Sequence, residues 1–189
     1  MDLPGVSGNH NHSIKNIYFM RMIHLVVGVL IISGFQKANA QDKSNDTTAR
    51  YFIIQASIGN LQEVAIGRLA AGKAMSPEVK AFANRMVADH SKAEAQLMQL
   101  IQTKGFQIPT AATDPPVDDM MLKNTDPKDF DRMYVHMMVP GHRSTVQLFE
   151  KYALTGKDPD VRAFAQQTLP TLKEHLAAIV AIDNGMSDR

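Results

Sequence analysis

The sequence predicts an all-α protein, a four-helix bundle made of two copies of one helical hairpin. Three observations predict it. Apolar residues recur three or four apart over four long segments, the spacing that lines one face of a helix. A capping side chain followed by proline opens three of those segments, at Ser76-Pro77, Asp126-Pro127 and Asp158-Pro159. The second half also repeats the first at an offset of 82 residues.

The first helix is expected over residues 47–74, where Phe52, Ala56, Gly59, Ile66 and Ala70 form the apolar stripe. Ser76-Pro77-Glu78 starts the second with a cap hydroxyl, a proline where no N–H is needed and an acid at the positive helix end. Its stripe is Val79, Phe82, Ala83, Met86, His90, Ala93, Leu97 and Ile101, and Gly105 is placed to end it in the left-handed conformation.

Residues 106–125 hold Pro109, Pro115 and Pro116 among Asp and Thr, and read as a crossover rather than a fifth long helix. A connection of about 20 residues spans up to roughly 65 Å, enough to run the bundle's length and set the third helix parallel to the second, as in ferritin-like folds. The third helix runs from Asp126-Pro127 to about Thr155, and the fourth from Asp158-Pro159 to about Asn184, with Gly156 between them and Gly185 as a stop. Pro140 and Pro170 lie inside these two helices, where each removes a backbone hydrogen bond and kinks its helix.

The repeat pairs Arg50 with Arg132, Gly59 with Gly141 and Pro77 with Pro159, then Val79, Ala81, Phe82 and Ala83 with Val161, Ala163, Phe164 and Ala165. One hairpin cannot bury its apolar face alone, so two copies related by an approximate two-fold make a closed unit. The bundle domain is expected over residues 46–185.

Residues 1–40 read as an N-terminal extension and a cleavable signal peptide. The apolar run at residues 23–35 follows Lys15 and Arg21 and precedes Ala38-Asn39-Ala40, a cleavage pattern that would free Gln41. At about 13 residues the run is short of the ~20 needed to cross a bilayer, so no transmembrane span is expected in the mature protein. Met20 and Met22 are more ordinary starts than Met1 for such a segment. The expected location is periplasmic or secreted.

The chain has no cysteine, which excludes disulfides, thiolate metal sites and a lipid anchor on an N-terminal cysteine. Its formal charge is +1, and the first forty residues hold Lys15, Arg21 and Lys37 against Asp2 alone. The remainder is therefore slightly acidic, which argues against nucleic acid as a partner. Phosphate-binding loops, a nucleophile elbow and a Ser-His-Asp arrangement are all lacking, so nothing argues for catalysis. His136 reads as an exposed singleton, and Asp89, Lys92, Glu94 and Lys151 as a solvated charged face.

Four residues with metal-ligand chemistry sit on or beside the stripes, one per helix: Glu63, His90, His142 and His175. At 1.5 Å rise per residue they lie about 16 to 26 Å from the hairpin turns, near mid-bundle. Imidazoles with a carboxylate suit a transition metal such as zinc, copper, iron or nickel. Against this stands a reading in which His90 and His175 are hydrogen-bonded core residues, Glu63 caps them and His142 faces solvent behind Pro140. Di-iron bundles carry Glu-x-x-His, but Val87 and Leu172 stand three before His90 and His175, so a dinuclear oxidoreductase ranks last. Met86, Met98, Met133, Met137 and Met138 could offer thioethers to copper(I), but read better as core filling.

The segments Gly59-Asn60-Leu61-Gln62-Glu63-Val64, Ser76-Pro77-Glu78-Val79-Lys80-Ala81-Phe82-Ala83, Met86-Val87-Ala88-Asp89-His90 and Leu169-Pro170-Thr171-Leu172-Lys173-Glu174-His175-Leu176 resemble the bacterial domain-of-unknown-function family 4142. The resemblance covers about residues 46–183 and implies a ferritin-like bundle exported to the periplasm. Similar chains carry an Asp-His pair in the third helix, where this one has Gly141 before His142. Members are often labelled predicted outer membrane proteins, yet this sequence lacks the alternating strands and aromatic girdles of a membrane barrel. Two functions remain in view: a bundle binding a transition metal or small ligand in its core, and a metal-free structural module whose partner is an envelope protein or a second copy.

Overall fold

A computed structural model describes residues 46–115 and 119–187. The extension and signal peptide expected over residues 1–40 lie outside the described residues, as does Pro116. The described chain is all-α: α1 Thr47–Lys73, α2 Pro77–Lys104, α3 Thr110–Thr113, α4 Met120–Asn124, α5 Pro127–Thr155 and α6 Pro159–Ser187. The four long helices are the four that periodicity predicts, and among the described residues the crossover holds only the short helices α3 and α4.

The helix starts follow from side-chain chemistry. The Asp46 carboxylate accepts from the backbone N–H groups of Thr48 and Ala49, Ser76 from Val79, Asp126 from Lys128, and Asp158 from Asp160 and Val161. Each bond satisfies a donor that the first turn leaves without a helical partner. At the end of α2, Gly105 takes φ 68°, and Phe106 N–H closes onto the Ile101 carbonyl.

Two local expectations need correction, on the end of α6 and on the stripe of α1. α6 does not stop at Gly185 but runs to Ser187; among the described glycines only Gly105 adopts positive φ. On α1 the stripe includes Ile53, Ser57, Asn60 and Gly67, and Gly59 is only half-buried. Pro140 and Pro170 lie within continuous helices, with both rings exposed, so the bonds they remove face solvent.

Two core clusters reveal the helix directions. One joins the start of α1 (Ala49, Phe52, Ile53), the end of α2 (Leu97, Ile101), the end of α5 (Phe149, Tyr152) and the start of α6 (Val161, Phe164, Ala165). The other joins the end of α1 (Ile66, Ala70), the start of α2 (Val79, Phe82), the start of α5 (Phe130, Tyr134) and the end of α6 (Ile179). So α1 and α6 run one way and α2 and α5 the other, and the connection between α2 and α5 must travel the bundle's length. It descends along α1, tied by Ser57 Oγ to the Ala112 carbonyl (2.9 Å) and Lys73 Nζ to the Lys123 carbonyl (2.8 Å).

Besides the hairpin contacts α1–α2 and α5–α6, α1 packs on α5 and α2 on α6. At Gly67 the α1–α2 approach is close: a Cβ there would lie 3.0 Å from Val87 Cγ2 and 3.1 Å from the Ala83 carbonyl. The two clusters leave a layer between them. In α2 it falls between Met86 and Leu97, in α5 between Val139 and Val146, and in α6 between Leu172 and Ile179. His90, His142 and His175 occupy that layer.

Candidate metal centre

Helix periodicity puts a side chain from each of α2, α5 and α6 into the mid-bundle layer, and in all three the residue is histidine. His90 is 4% exposed, and His142 and His175 are 1% exposed. One ring nitrogen from each lies within 4.8 Å of the others. The ring centroids are separated by 5.4 to 6.0 Å, and the Phe82 ring stands edge-on against both His142 and His175.

The outward nitrogens are all engaged. His142 Nδ1 lies 3.0 Å from the Met138 carbonyl, which can only accept, so Nδ1 carries the proton. His175 Nε2 lies 2.8 Å from Asp89 Oδ2. Burial alone would raise the Asp89 carboxyl, but hydrogen bonds from His175 and Arg85 hold it below its ordinary value, so it is an accepting carboxylate. His90 Nδ1 lies 3.0 Å from Asn60 Oδ1. The Asn60 amide nitrogen donates to Glu94 Oε2 at 3.2 Å, which turns its oxygen towards His90.

Those three bonds set the tautomers and leave His90 Nε2, His142 Nε2 and His175 Nδ1 with free lone pairs. All three atoms are buried and lack a hydrogen-bond partner. Burial pushes the imidazoles towards neutrality: His90 down to about 3, His142 down to about 4, and His175 below its usual value despite the opposing pull of Asp89. Three neutral imidazoles, each with its far N–H on an oxygen, form a donor set that fits a transition-metal ion. Nitrogens around a tetrahedral ion stand about 3.4 Å apart, given bonds of ~2.0–2.1 Å. The observed separations, all within 4.8 Å, exceed that spacing by no more than about 1.4 Å.

Glu63, the fourth residue expected on this layer, is placed beside the cluster rather than in it. Its Oε1 lies 3.8 Å from His142 Nδ1, the nitrogen facing away from the shared space. Its Oε2 is buried without a partner, and burial raises the carboxyl from 4.5 to about 7. The expectation that His142 could face solvent behind Pro140 is overturned by its burial.

Asp89, Glu94 and Asn60 were not legible as site residues. Asp89 and Glu94 read as a charged face, yet Asp89 orients His175, and Glu94 orients Asn60, which orients His90. Arg85 links Asp89 to Glu174, with Nε 3.2 Å from Asp89 Oδ2 and its terminal nitrogen 2.7 Å from Glu174 Oε2. The repeat carried a signal for Asn60, since the 82-residue offset that pairs Gly59 with Gly141 also pairs Asn60 with His142.

A family model described as Domain of unknown function (DUF4142) matches residues 34–182. The chain belongs to that family. The match takes in all three histidines, Glu63 and both hairpins, as the resemblance of the quoted motifs implied. No curated protein and no solved structure gives a significant match. No described helix is long and apolar enough to cross a membrane.

Proposed function

We propose that this member of the DUF4142 family is an exported bundle that holds one transition-metal ion between His90, His142 and His175. The observation that carries this reading is that three buried histidines bring one ring nitrogen each within 4.8 Å of one another, and each ring has one nitrogen engaged and one buried without a partner. An unpaired polar atom in a core costs about 1–3 kcal/mol, and three at one point need a common occupant. Zinc, copper and iron all accept imidazole, and zinc and copper suit an all-nitrogen set best. Glu63 stands beside the ion as a nearby carboxylate.

Export is supported by the apolar run at residues 23–35, the cations before it and Ala38-Asn39-Ala40 after it. Protein recovered from the periplasmic fraction is expected to begin at Gln41.

The decisive measurement is metal content of the mature protein purified without chelator, set beside a His90→Ala, His175→Ala double variant of unchanged helicity. About one ion per chain is expected in the first and none in the second. Equal content in both would end the metal reading. The metal-free structural module is favoured by one observation, the exposure of Met75, Met120 and Met121 at the α1–α2 end of the bundle. It would gain ground if neither protein carried metal.

A further inference from the structure

We infer that the ion held by the three histidines keeps one coordination position open, and that a cleft between α1 and α5 admits small exogenous ligands to it. This rests on the metal reading above. Three protein nitrogens leave at least one position free on a tetrahedral ion, the arrangement of reactive rather than purely structural sites. Because all three donors are neutral, the ion keeps its full charge and favours water, hydroxide or a small anion as the remaining ligand.

The cleft has a volume of about 230 Å³, and its lining includes His90 and Glu63. Behind this lining lie two buried polar atoms without partners, His90 Nε2 and Glu63 Oε2. A dry cavity of ~150 Å³ holds a benzene-sized molecule, so the space admits ligands of several heavy atoms. Asp89 does not compete for the position, since it is committed to His175 and Arg85 on the other flank.

Gly59 and Gly141 line the same cleft, one on α1 and one on α5. Glycine in a helix interior is less stable than alanine there. Neither residue has positive φ, and a Cβ added to either would meet nothing within 4 Å, so neither conformation nor close packing calls for glycine. What the pair provides is the absence of side chains along the approach to His90. The two are equivalent positions of the repeat, brought to one cleft because α1 and α5 pack antiparallel.

The test uses the mature protein loaded with cobalt(II), whose visible absorption reports coordination, titrated with azide. Wild type is expected to show a saturable spectral shift. Gly141→Leu and Gly59→Leu are each expected to bind cobalt at unchanged stoichiometry and to lose azide affinity at least tenfold. Should one leucine variant fail to fold, the other carries the test from the opposite wall. Cobalt bound at full stoichiometry but blind to azide would overturn the open position alone, as would azide affinity unchanged in the folded leucine variants. Failure to bind cobalt would overturn the metal reading with it.

Discussion

His175 on α6 donates through Nε2 to Asp89 Oδ2 on α2 across 2.8 Å, and this bond joins the two hairpins at the height of the histidine cluster. It also leaves Nδ1 of His175 with its lone pair free, buried and without a hydrogen-bond partner. Such carboxylate–histidine partners typically contribute 10–100-fold to metal affinity. Asp89→Ala is therefore expected to weaken metal binding by about that factor while leaving helix content unchanged. Competition against a chromophoric chelator measures it, and an affinity equal to wild type would show that Asp89 does not orient the ligand.

The contrast between His175 and Asp89 shows what was legible in the sequence. All eight residues expected on the α2 stripe are the eight buried ones, because a 3.6-residue period reports burial without tertiary information. A histidine on such a stripe stands out for the same reason. Asp89 and Glu94 lie beside the stripe, where a carboxylate engaged by another helix looks like one in solvent. The difference is made by where α6 and α1 pass over them. Glu63 shows the converse: its spacing puts it at the layer's height, but which side of His142 it meets is set by the α1–α5 packing.

Replacing His142 by leucine is expected to separate stability from binding. In the metal-free protein its Nε2 is buried and partnerless, a cost of about 1–3 kcal/mol that an apolar side chain of similar size removes. The His142→Leu variant should then melt higher than the metal-free wild type and gain nothing on adding zinc, whereas the wild type gains. Calorimetry with and without zinc checks both halves. A variant less stable than the metal-free wild type would mean that the layer is satisfied without an ion.

Acid should destabilise the metal-free bundle well above the usual carboxylate range. Burial holds His90 near 3 and His142 near 4, against 6.5 in the unfolded chain. As pH falls below 6.5 the unfolded state takes up protons that the folded state refuses, at about 1.4 kcal/mol per proton per pH unit. Glu63 acts in the opposite sense. Its folded value of about 7 exceeds the unfolded 4.5, so its contribution is present below 4.5 and is lost as pH rises to about 7. Between 4.5 and 6.5 two histidines oppose one carboxyl, and His175 is shifted in the same direction as the two, so net stability rises with pH. Urea midpoints at about pH 5 and about pH 7 decide the matter, the expected order being the lower midpoint in acid. The reverse order would mean that the histidines are already charged when folded.

One substitution is expected to give opposite signs at two helix glycines. At Gly141 a methyl group meets open space, so Gly141→Ala gains helix propensity at no packing cost and should stabilise by up to about 1 kcal/mol. At Gly67 the same methyl would stand 3.0 Å from Val87 Cγ2 and 3.1 Å from the Ala83 backbone oxygen. The valine can rotate, but the Ala83 carbonyl moves only if α2 moves away from α1, about two helical turns from His90. Gly67→Ala should therefore cost about 1–3 kcal/mol, the usual range for overpacking, and weaken metal binding by displacing α2. Denaturant titration of the two variants beside wild type measures the signs. Stabilisation at both positions would show that the helices are not in close contact at Gly67, and that the spacing of the histidine layer does not depend on it.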